Sequence, residues 1–137
     1  MTNRYRQLVI ICSAIAMSLV MVNVVLAILL ISGSLPPKTS LPPAVSVGMF
    51  CLALAILVFA PAVQRAILKR YEAEGDAAAL AAGYTTAVII AFALREAAGL
   101  LGFMLALLTG NPWWSCGLGG AALLAMVMDR PRRAMLE

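Results

Sequence analysis

Along the chain, four apolar runs alternate with three short polar breaks. Residues 8–32, LVIICSAIAMSLVMVNVVLAILLIS, carry no charge. About 20 apolar residues cross the hydrocarbon core of a bilayer as a helix, so this run predicts a first span. Arg4 and Arg6 precede it, as in a signal peptide. The run is too long for a signal-peptide core, however, and no A-x-A cleavage pattern follows. A retained span is expected. Asn23 is its one strongly polar member and is expected to hydrogen-bond a neighbouring helix.

Residues 33–43, GSLPPKTSLPP, cannot continue a helix, because two Pro-Pro pairs interrupt it. A short, stiff external connector is predicted. A second span follows over 44–68, with Pro61 expected to kink it or to mark its end. The charged linker 64–76, QRAILKRYEAEGD, is helical in pattern. It places Arg65, Lys69 and Arg70 at the lipid surface. Glu72, Glu74 and Asp76 come just before the next helix, where carboxylates suit the N-terminal dipole. The third apolar run covers 77–109, with its span over about 80–109. A Gly-Asn-Pro turn at 110–112 leads into Trp113 and Trp114, which read as interfacial anchors. A short fourth span is predicted over 113–128, and DRPRRAMLE closes the chain.

Composition agrees with that pattern. Of 137 residues, 64% are hydrophobic and 12% charged, which points to a bilayer and not to water. The expected fold is all-α: a single polytopic membrane domain, 1–137, of four transmembrane helices arranged as two hairpins. Charge then orients it. With four spans, Arg4, Arg6, Arg65, Lys69, Arg70, Arg130, Arg132 and Arg133 share one side, and only Lys38 lies on the other. The positive-inside rule puts both termini and the middle linker in the cytoplasm of a bacterial-type inner (plasma) membrane.

Several function classes become poor fits. The net charge of +4 comes from basic residues at the ends of apolar runs, not from a basic patch interleaved with aromatics, so nucleic acid is not an expected partner. There is no histidine, and the three cysteines show no metal-ligand spacing, so neither a metal nor a cofactor is expected. Cys12, Cys51 and Cys116 read as small apolar core residues. No Ser/His/Asp set, phosphate-binding loop or dinucleotide fingerprint is present, so no enzyme activity is expected.

One stretch, AFALREAAGLLG at 91–102, places Arg95 and Glu96 inside the third apolar run. A helix turns about 100° per residue. Arg95 therefore shares a stripe with Tyr84, Val88, Ala91, Ala98, Gly99, Gly102 and Ala106. Small faces of this kind let helices approach closely in lipid, so Ala91, Arg95, Ala98, Gly99, Gly102 and Ala106 are the expected helix-packing or partner-contact residues. Glu96 falls on the flank, in line with Thr85, Phe92 and Phe103. Three roles are open to the pair. Arg95 reaches about 8 Å to the cytoplasmic interface while Glu96 accepts a hydrogen bond; or both charges dock on another subunit; or Glu96 carries a proton or an ion.

The segment ALREAAGLLGFMLALLTGNPWW, residues 93–114, resembles the C-terminal helix of the proteolipid c subunit of rotary ATP synthases. That family carries an ion-binding carboxylate in mid-membrane, followed by a small, glycine-containing aliphatic stretch. A basic cytoplasmic loop lies about twenty residues before the carboxylate. The resemblance implies that Glu96 takes the place of that carboxylate. The family's carboxylate must become neutral when it meets lipid, and a neighbouring arginine, which cannot be neutralised, works against that step. The expectation is a small structural or accessory subunit. It packs in the bilayer against other membrane subunits or against itself as a homo-oligomer. Ion-coupled transport through Glu96 is the alternative.

Overall fold

The structure, a computed structural model, describes residues 3–34, 41–73 and 75–132. Residues 35–40 with Lys38, and also Glu74 and Arg133, lie outside the described residues. The described residues form four helices joined by short non-helical segments: α1 (Asn3–Ile31), α2 (Pro43–Glu72), α3 (Ala77–Thr109) and α4 (Trp113–Met128). The first three are long and apolar enough to cross a membrane, whereas α4 is a shorter apolar helix. Its 16 residues extend about 24 Å at 1.5 Å per residue, short of a hydrocarbon core of about 30 Å.

Local chemistry sets the ends. Asp76 caps α3, its Oδ1 accepting the Ala78 backbone N–H at 3.1 Å. Gly110 closes α3 in the left-handed conformation, φ 64°, which glycine adopts without strain. Asn111 Oδ1 then accepts the Trp113 N–H at 3.1 Å and starts α4. Pro61 does not end α2: the helix runs through it and includes residues 64–72 of the charged segment. Proline removes one backbone donor, and the turns on either side keep theirs.

The helices alternate in direction, and α3 lies at the centre, packed against all three others. On α1, Leu8, Cys12, Leu19 and Leu26 are buried, and Ile15 and Val22 are half-buried between them. These positions follow a 3–4 spacing, which keeps one seam of a helix against its neighbour. One core cluster joins Leu8, Cys12 and Leu19 to Tyr84, Val88 and Phe92 of α3 and Ala122 and Met126 of α4. A second joins Ala53 of α2 to Ala98 and Leu105 of α3 and Leu118 of α4.

Glycine lets α3 sit this close to its neighbours. A Cβ added at Gly99 would fall 2.5 Å from Leu19 Cδ1, and one at Gly102 would fall 2.7 Å from Leu118 Cβ and 2.8 Å from the Trp114 carbonyl oxygen. Leu19 can turn its side chain, but Leu118 Cβ and the Trp114 carbonyl are fixed to the α4 backbone. Gly102→Ala should therefore destabilise by about 1–3 kcal/mol, the range for overpacked sites, and Gly99→Ala by less. Gly48→Ala, with nothing within 4 Å, should be neutral or better. Unfolding in detergent micelles, followed by circular dichroism, measures the order of the three. Equal losses at Gly99 and Gly102 would contradict this packing.

Candidate functional site: the end of the fourth helix

Arg95 is only 2% exposed, and its Nη2 pairs with Oδ2 of Asp129, which is 44% exposed. Asp129 directly follows the last residue of α4. The guanidinium thus sits at the C-terminal end of α4, where the helix dipole favours a cation. It also lies over the Phe92 ring, with Cζ 5.9 Å from the centroid. Its Nε and Nη1 have no hydrogen-bond partner among the described residues. Arg95 therefore does not pair with Glu96. Its partner comes from the neighbouring helix.

Beyond Asp129 the chain leaves helical form and runs along α3, where the Arg132 backbone N–H donates to the Tyr84 hydroxyl at 2.6 Å. This segment separates two hollows. An apolar one, of about 320 Å³, lies between α1 and α4 and is lined by Tyr5, Cys12, Phe92, Met126 and Arg130 among others. A polar one, of about 200 Å³, lies on the α2 side. It is bounded by Pro61, Gln64, Arg65 and Leu68 of α2, Tyr84 of α3, and Met128, Asp129, Arg130 and Arg132.

The predicted packing face is where the helices meet. Ala91, Arg95, Ala98, Gly99, Gly102 and Ala106 are all buried. What covers them is α1, α2 and α4 of the same chain, so this face is not open to a partner. Glu96 stands about 100° around α3, half-buried, and no hydrogen bond or ion pair reaches it among the described residues. Beside it runs the outward strip of α3. Ala82, Thr86, Ile90, Ala93, Ala97, Leu100 and Met104 are exposed there.

The tryptophans divide. Trp113 is 77% exposed, whereas Trp114 packs on Phe50 with ring centroids 5.3 Å apart. Of the cysteines only Cys12 is buried; Cys51 and Cys116 face outward. Asn23 bonds across helices: Ser115 Oγ donates to its Oδ1 at 2.9 Å, while its Nδ2 donates to the Leu19 carbonyl at 2.8 Å.

Sequence reasoning missed Asp129. The signal for it was the symmetry of the hairpin. Arg95 lies 15 residues before Gly110, and Asp129 lies 17 after Pro112, so an antiparallel pair brings them to one level. No family model, curated protein or solved structure matches the chain. The likeness of residues 93–114 to the rotary proteolipid helix therefore rests on the sequence alone.

Breaking the ion pair should cost unequal amounts from its two ends. Asp129→Ala leaves a buried arginine without a carboxylate. The loss should be about 2–3 kcal/mol, below the range for a fully buried pair because water reaches Asp129. Arg95→Met leaves only an aspartate that water can hydrate, and should cost less than about 1 kcal/mol. The double variant should match Arg95→Met. Unfolding midpoints in detergent supply the cycle, and equal single losses would overturn this account of the pair.

Proposed function

We propose that the protein is a small structural or accessory subunit of a larger membrane complex. It lies in a bacterial-type inner membrane with both termini cytoplasmic. Its basic end, with Arg4, Arg6, Arg65, Lys69, Arg70, Arg130 and Arg132, faces the cytoplasm. In this reading α4 enters from the outer side and ends inside the membrane at Asp129, and the chain returns to the cytoplasmic surface beside Tyr84. Non-helical backbone at membrane depth is tolerated where protein or a polar cavity surrounds it.

The observation that carries the proposal is Glu96. It is a half-buried ionisable side chain in the apolar length of α3, without a partner among the described residues. Charged groups in that position call for something to meet them. The exposed strip of α3 beside it carries the small residues Ala93 and Ala97 between Ile90 and Leu100, an apolar face on which another helix can pack. The contact face is thus the outward strip with Ala93, Ala97 and Glu96. The Gly99–Gly102 face is already occupied. The partner is another membrane subunit or a second copy of the chain.

Purification in mild detergent with mass spectrometry should recover a stoichiometric partner or a homo-oligomer. Ala97→Leu and Glu96→Gln should each loosen it at least several-fold without moving the unfolding midpoint of the chain. A stable monomer with no co-migrating protein would remove this reading.

One observation favours ion transport as a second reading. Arg95 is turned away and occupied by Asp129, so the neighbour that argued against a rotor-type carboxylate does not face Glu96. A proton-carrying Glu96 should react with a hydrophobic carbodiimide, and the reaction should slow as the pH rises. Proteoliposomes should also show a flux that Glu96→Gln abolishes. A Glu96 paired with a cation on another subunit should stay unlabelled in the intact complex.

A further inference from the structure

We infer that the polar hollow beneath the end of α4 binds a phosphate group. Arg65 comes to it from α2, and Arg130 and Arg132 from the segment after α4. None of the three has a carboxylate partner among the described residues. Asp129 also lines the hollow, and the Arg95 guanidinium offsets its charge. Gln64 and Tyr84 also line it. The Tyr84 hydroxyl oxygen accepts from the Arg132 N–H, which leaves its own proton free to donate.

Three arginines lining about 200 Å³ suit a tetrahedral oxyanion. Arginine's planar fork matches phosphate with paired, charge-assisted hydrogen bonds. Position adds to chemistry. The hollow lies where α2 passes from its apolar length into Arg65, Lys69 and Arg70, the level at which basic side chains meet anionic headgroups. Its remaining walls, Pro61, Leu68 and Met128, are apolar. Arg130 also lines the apolar hollow on the other side of the segment, which has room for part of an acyl chain. A phospholipid headgroup is thus expected to bind better than a free phosphate. The inference needs the helices to lie in a bilayer but not the subunit reading.

The test is thermal unfolding of the purified full chain in detergent, titrated separately with phosphatidylglycerol, phosphatidylcholine and inorganic phosphate, the last against chloride at equal ionic strength. Phosphatidylglycerol should stabilise at concentrations at least tenfold below phosphatidylcholine. Arg65→Gln and Arg132→Gln should each weaken that effect by about tenfold, as expected for loss of a charge-assisted bond. Lys69→Gln, outside the hollow, should change it less than twofold. Both arginines are exposed, so the unliganded midpoints of their variants should match the wild type. Native mass spectrometry, counting retained phosphatidylglycerol, gives a second readout should one shift. Stabilisation by inorganic phosphate with the same arginine dependence would assign the site to a soluble phosphate. No preference for either phosphate probe over its control would overturn the site. So would an equal loss in Lys69→Gln, because attraction would then be a general property of the basic end.

Discussion

An arginine buried to 2% exposure inside an apolar bundle is the constraint around which one half of the molecule is arranged. Removing a guanidinium from water costs several kcal/mol. Three things offset it here: the Asp129 carboxylate, the C-terminal dipole of α4 and the Phe92 ring. Two of the three require α4 to end at this level. The shortness of α4, the extended segment after it and the hollows on either side of that segment all follow from where Arg95 sits. What such a pair supplies is register more than net stability. Sliding α4 by one turn would carry Asp129 about 5.4 Å away and leave Arg95 alone.

The other half of the packing depends on side chains that are absent or small. In lipid no hydrophobic force drives helices together, so contact area and close approach do that work. Gly83, Gly99 and Gly102 on α3 and Gly119 on α4 each face a neighbouring side chain that a Cβ would crowd. Ala53 and Ala60 are the buried residues of α2. Gly119 makes room for the Asn23 amide, and so permits the Ser115–Asn23 bond. At the crowded glycines a larger residue of another helix fills the space, as Leu19 does at Gly99 and Tyr71 at Gly83.

How legible this was differed from element to element. The four helices were readable because charge, proline and glycine punctuate them. The buried stripe of α3 was readable because its small residues recur at helical spacing around Arg95. The seam of α1 was not. Nearly every residue from Leu8 to Ile31 is apolar, so polarity cannot distinguish the side facing protein from the side facing lipid; only shape does. Pro61 looked like a boundary because its local rule is strong, yet one missing donor does not stop a helix held on both sides. The partner of Arg95 was hidden because Asp129 looked like the start of a solvated tail. Its role appears only once α4 is folded back along α3.

Arg95 and Glu96, adjacent in sequence, are separate in space, and this alters what each can mean. Taken as a pair, they describe a charge already neutralised within the segment, with little left to do. One helical step puts Arg95 in the interior with a partner from α4. The same step puts Glu96 at the edge of an open face without one. The arginine then becomes a structural group, and the glutamate becomes the unbalanced one. Any account of this protein in a membrane must say what meets that carboxylate: a cation on another chain, or a proton. Asp129 is the counter-charge of Arg95, and among the described residues none is left for Glu96.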